Sequence, residues 1–128
     1  MKLSVIRERL VDTFNSVVDN DIYTDFAPSD VDEGYILDIQ QVQNKYIHIE
    51  DVKPDTVELD VSVNCFSFRS RADSDRLFDA LTENLNGKCN DDFLLIKCVG
   101  ATNVPFDEEL GAFCSGANFS IIMRGNIE

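Results

Sequence analysis

The sequence predicts an α+β domain: a mostly antiparallel (mixed) sheet of about five to six strands with two main helices packed on one face, in the order α-β-β-β-α-β-β. Three observations predict it. Near the N-terminus, Leu3, Ile6, Leu10, Phe14 and Val17 recur at three- and four-residue steps, an apolar stripe of helical period. Further on, Val57, Leu59, Val61, Val63 and Cys65 alternate with Glu58, Asp60, Ser62 and Asn64, the period of a half-buried strand. Directly after that run the period is helical again, through Leu77, Phe78, Leu81 and Leu85.

Each element follows from its own residues. The first helix is expected over 3–18, with Arg7, Glu8, Asp12 and Asn15 on the side away from the stripe. The segment "VDNDIYTDFAPSDVDEGY" carries six acids, Pro28 and Gly34 and reads mostly as loop, with Ile22 and Tyr23 as a short edge strand. Two strands are expected at 35–40 and 45–51, joined by a hairpin connection over 41–44. The run from Val57 slips phase at Phe66, where Phe66 and Phe68 take over the apolar positions, so a β-bulge is expected near Cys65. One sheet face should be covered and the other wet. Ser70 and Asp73 fit a capping box for the second helix, Asp73 and Asp75 suit its positive end, and Gly87 supplies its stop. "DFLLIKCVG" (92–100) is nearly all apolar and reads as a central strand. "ANFSIIMR" (117–124) alternates and closes the chain, after a loop containing Pro105, Gly111 and Gly116 that leads into an extended start of this final strand.

At 128 residues the chain is expected to form a single domain, 1–128, and to build a core without disulfide or metal. Apolar content of 44% with 27% charged residues argues against disorder. No apolar run approaches the ~20 residues of a membrane span. Arg7, Glu8 and Arg9 stand where a secretion signal keeps its apolar core, so export is not expected. The four cysteines show no C-x-x-C spacing, and reduced thiols in a cytoplasm are expected, with a Cys89–Cys114 bridge left open.

The net charge of −13 disfavours direct binding to nucleic acid. Between Asp19 and Asp60 there are twelve acids against Lys45 and Lys53, a field that favours solubility and opposes non-specific self-association. Asp19, Asp21 and Asp25 have the offsets of a calcium loop, but Thr24 and Asp30 occupy the positions that need glycine and glutamate. His48, the only histidine, has no nucleophile or carboxylate in a triad pattern beside it. Phosphate-loop, dinucleotide, nucleophile-elbow and zinc-protease motifs are absent. No enzymatic activity, cofactor or metal is expected.

The order of elements, with Ile22-Tyr23 and Ala27-Pro28, then "VELDVSVNCFSF", then "SRADSDRLFDALTENL", resembles the tail terminator and minor tail proteins of long-tailed bacteriophages. The resemblance is one of pattern over nearly the whole chain. It implies a structural virion protein that caps the tail tube as a ring, hexameric in terminators, assembled in the host cytoplasm. The implied partners are further copies of itself, the tail tube protein and a head-side connector protein. The long acidic segment 19–34 and the 105–116 segment are then candidates for ring or tube contacts, through Asp25, Asp30, Asp32, Glu33, Asp107, Glu108 and Glu109. Arg69, Arg71 and Arg76 are candidates to pair with acids of the next subunit. Read from the residues alone, they are exposed helix-start residues worth little individually. Two other readings stay open: a different neck or head-completion protein, and an acidic inhibitor that mimics nucleic-acid charge. The second expects carboxylates in two spaced rows.

Overall fold

The computed structural model describes residues 2–25, 30–48, 50, 52–108 and 111–125, with the backbone alone for 103–107. The element order is α1 (Leu3–Asn15), β1 (Ile22–Tyr23), β2 (Glu33–Lys45), β3 (Thr56–Ser67), α2 (Arg71–Leu85), β4 (Phe93–Asp107) and β5 (Ala112–Arg124). This is the predicted α-β-β-β-α-β-β order in a five-stranded, mixed and mostly antiparallel sheet. The sheet order is β1-β2-β3-β5-β4, and only the short β1–β2 pair is parallel. β3 and β4 are both antiparallel to β5, which lies between them. The chain therefore leaves β3, crosses through α2 and returns parallel to β3 one strand further out.

Both helices cover the same face. Ile6, Leu10 and Phe14 of α1 share one buried cluster with Leu77, Leu81 and Leu85 of α2 and with the inward residues of β3 and β5. Phe14 meets Phe119 edge-on at 5.5 Å between ring centroids, a favoured aromatic geometry. The other face is polar, as expected for an antiparallel sheet with one wet side. Ser62 and Asn64 of β3 and Asn118 and Ser120 of β5 are only partly buried there. The two helical stripes and the alternation of β3 thus describe one event, burial of a single apolar sheet face.

α2 forms where its signals place it. Its N-cap is Ser70, whose Oγ accepts from the backbone N–H of Asp73 at 3.2 Å. The reciprocal half of the capping box is not used: the Ser70 N–H donates to Ser67 Oγ at 3.5 Å instead. Gly87, at φ +82, follows the C-cap Asn86, and the left-handed conformation there favours glycine. α1 ends at Asn15, a turn earlier than its apolar pattern, with Val17 and Val18 still packed on the core.

Four expectations are corrected. The hairpin over 41–44 does not form, and the strand expected over 45–51 is not formed by its described residues beyond Lys45. Gln41, Val42, Gln43 and Asn44 continue β2 and pair with β3, and the chain turns only beyond Lys45. Residues 40–45 are exposed, so no burial imposes an alternation that would reveal a strand. Next, β3 has no bulge near Cys65. Its pairing with β5 is unbroken, and the bulge lies in β2 between Ile39 and Gln41. Cys65 and Phe66 are both buried because both faces are covered at that end: Cys65 in the main core, Phe66 beside Ala112 and Cys114 in a second cluster with Tyr23, Val31 and Ile36. The phase slip in the sequence is a second small core, not an extra residue.

Third, the apolar run at 92–100 is the start of an edge strand, β4, and not a central one. Register shifts at Phe93/Leu95 and Cys98/Gly100 interrupt its pairing, and Val99 is 60% exposed. β5 is central, paired on both sides. Fourth, the loop expected after 100 is strand as far as Asp107, while the expected extended start of the final strand is found from Ala112. β4 runs to Asp107 and pairs back onto β5 from Ala112, with Gly111 at φ +74 in the turn.

Candidate assembly surface

The residues singled out by charge come from three separate parts of the chain, and the topology brings most of them to one end of the sheet. Glu33 opens β2 and pairs with Ser67, the last residue of β3. Ser67 pairs with Phe113 near the start of β5, and Asp107 at the end of β4 pairs with Ala112. Asp32 enters this end beside β3, where its carbonyl accepts from Phe68 N–H at 3.0 Å. Asp30, next to Val31 of the second small core, lies close enough to Tyr23 to raise the phenol pKa together with Asp21, although desolvation is the larger cause. Glu108 is exposed in the β4–β5 turn. Glu109 lies outside the described residues. Asp25 is elsewhere, beside Asp38, Ser62 and Asn64 on the open face.

Arg69 and Arg76 both converge on Glu33, with Arg76 Nη2 2.7 Å from Glu33 Oε2. Asp73 completes the set, 3.2 Å from Arg69 Nε and 3.7 Å from Arg76 Nη2. Two cations and two anions thus alternate across the helix start and the first residue of β2. Glu33 is the least exposed member, at 16% of its side chain. Arg71 turns the other way: Nη1 donates to the Cys114 carbonyl at 2.8 Å, and its guanidinium carbon lies 5.7 Å from the Phe113 ring centroid. Beneath it, Ser74 and Ser115 hydroxyls lie 3.2 Å apart, and Ser115 Oγ donates to Asp75 at 2.8 Å.

The three arginines expected to pair with a neighbouring subunit have partners within the chain. Arg69 and Arg76 find their acids within the chain, and Arg71 binds a backbone carbonyl. The reading of these arginines as merely exposed helix-start residues is also too plain. They fasten the N-terminus of α2 to β2 and β5. The sequence held part of this signal, because Asp73 sits three residues before Arg76 on one face of α2, while Arg69 lies just before the Ser70 cap. Nothing in the sequence pointed to Glu33 as their common partner, 36 residues before Arg69.

The open face carries both signs of charge. By register, Asp38, Glu58 and Asp60 share it with Lys45, Lys97 and Arg124, and Lys45 lies 3.9 Å from Glu58. A groove of about 340 Å³ beside α1 and β1 is lined by Arg7, Glu8, Asp12 and neutral residues. No group of three or more His, Cys, Asp or Glu side chains gathers as metal ligands among the described residues. His48 is exposed in the connection between β2 and β3. No disulfide joins the four cysteines among the described residues. Cys114 is at the start of β5 and Cys89 beside the other end of β4, about seven residues of strand away at ~3.3 Å each. No helix is long and apolar enough to cross a membrane among the described residues.

The chain matches no family model and no curated protein.

Proposed function

We propose that this protein is a structural subunit of a long-tailed phage particle, a tail terminator that caps the tube as a ring and offers a joining surface to the head-side connector. The observation that carries this reading is the gathering of Asp32, Glu33, Arg69, Arg71, Arg76, Asp107 and Glu108 at one end of the sheet, from three distant stretches of chain. An end of the sheet that mixes ion pairs with further acidic residues suits contact with another protein surface. The two-layer build supports the same reading, because two helices cover one sheet face while most of the other, beyond the small Phe66 cluster, stays open. Net charge of −13 keeps single subunits apart until a complementary tube end offsets it. The partners in this reading are further copies of the chain, the tube protein and the connector. DNA and membrane are not among them. A neck or head-completion protein would share this logic, and it differs in the tube end to which it binds.

The test is direct. Purified protein is expected to sediment as a monomer or weak oligomer at low concentration, and to form rings at high concentration or on the ends of assembled tail tubes under electron microscopy. Tubes that remain uncapped at saturating protein would end the proposal.

A further inference from the structure

The fold treats its two sheet edges differently. An edge strand exposes a row of unpaired backbone N–H and C=O groups, which invites pairing with another strand. On β4 that row is covered at Ile96 and Cys98. Gly87 N–H donates to the Ile96 carbonyl at 2.7 Å, Ile96 N–H to the Lys88 carbonyl at 3.0 Å, and Cys98 N–H to Asn86 Oδ1 at 2.9 Å. Pro105, further along, has no N–H to offer. On the opposite side β1 covers only Tyr35 and Ile36 of β2. Over 37–45 the outer edge of β2 has no paired strand among the described residues, with Thr24 and Asp25 following β1 near Leu37 and Asp38 and no described residue of that segment beyond.

We infer that the bare β2 edge pairs antiparallel with the same edge of a second copy of this chain, forming a weak two-fold dimer. Three features single out that occupant. The first is the bulge. Tyr35 N–H points outward, to the Asp21 carbonyl, and alternation then directs Leu37 and Ile39 outward too. After the bulge at Ile39/Gln41 the outward residues are Val42 and Asn44, because Gln41, Gln43 and Lys45 face Asp60, Glu58 and Thr56. The step from Ile39 to Val42 is therefore one residue longer than a regular strand allows. A second copy matches it: Leu37 faces Asn44, Ile39 faces Val42, and each pair occurs twice about the two-fold axis. An ordinary strand would fall out of step at the bulge.

The second feature is the side chains this register joins. Val42, 38% exposed, meets the half-buried Ile39 of the other copy, joining apolar groups that solvent now reaches. The third is charge. Asp38 faces Gln43 and lies diagonal to Lys45 of the second copy on the open face, within reach of a long side chain. In a chain of net charge −13, this edge holds one acid and one base. The pairing is small, in the class below about 1,200 Å², and so weak and reversible. β4 has a comparable long step from Cys98 to Ala101. Its Ile96 and Cys98 are already bonded to the α2–β4 connection, so a β2-to-β4 contact offers half as many open pairs.

The experiment is sedimentation equilibrium together with disulfide trapping. In a Cys89→Ser background, Asp38→Cys and Gln43→Cys variants are mixed and oxidised with the chain intact. The mixture is expected to give about tenfold more cross-linked dimer than either variant alone, and Val42→Pro or Val42→Lys to weaken the wild-type dimer about tenfold with an unchanged circular dichroism spectrum. Preferential trapping of Asp38→Cys with Thr102→Cys would replace this contact with a head-to-tail one and overturn the inference. So would wild-type protein that stays monomeric at the highest attainable concentration. Rings on tube ends without the Asp38–Gln43 cross-link would remove the edge pairing and leave the terminator reading standing. The cross-link without rings would do the reverse.

Discussion

Replacing Tyr35 with phenylalanine should lower stability at neutral pH and raise it in strong alkali. The Tyr35 side chain is 1% exposed, and its hydroxyl donates to the Leu77 carbonyl at 2.8 Å. Burial first, and Cys65 second, push its pKa above the ordinary 10.0. At pH 7 the variant loses one buried hydrogen bond, about 1 kcal/mol, and little more, because Leu77 lies inside α2 and keeps its helical partner. The unfolded chain releases the Tyr35 proton near pH 10, whereas the folded chain holds it. Above that pH the native state binds more protons than the unfolded one, so wild-type stability falls as pH rises. The stabilisation is whole below pH 10 and drains above it at about 1.4 kcal/mol per pH unit. The variant lacks that loss. Titrations common to both proteins cancel, so the difference should vanish between about pH 10 and 11 and then change sign. Urea unfolding followed by far-ultraviolet circular dichroism at pH 7, 10 and 11 reads it. A gap that stayed constant from pH 7 to 11 would refute the claim that this phenol is buried with its proton.

Three further outcomes follow from the same contacts. Glu33→Gln removes the carboxylate shared by Arg69 and Arg76; because both arginines are more than half exposed, the cost should stay below about 1 kcal/mol and shrink in high salt, read as a urea midpoint with and without added sodium chloride. Ser70→Ala deletes the cap on Asp73 N–H and should cost about 1 kcal/mol in the same assay, with Ser70→Gly milder. Thiol alkylation of the native protein, followed by mass spectrometry, should modify exposed Cys89 quickly. Buried Cys65, whose thiol pKa burial pushes up, and buried Cys114 should react only on unfolding.

Much of the fold was legible because burial writes its period into the sequence. The α1 and α2 stripes, the alternation of β3 and the Ser70 and Gly87 signals all mark residues whose surroundings are set by their own segment. Legibility failed where burial was absent or doubled. β2 beyond Ile39 is exposed and reads as hairpin polar residues. Phe66 breaks the alternation because a second small core covers the far face. Continuous apolarity in β4 suggested a central strand, but it lies at the edge, its outer backbone groups met by the short connection from α2.

The charged end shows the same division. Spacing within α2 placed Asp73 and Arg76 on one face, since helical geometry relates residues three apart. Their union with Glu33, the hold of Arg71 on Cys114 and the bare edge of β2 were decided only in three dimensions. Those depend on which strands become neighbours and in what register, and pairing between distant segments leaves no periodic trace in either segment alone.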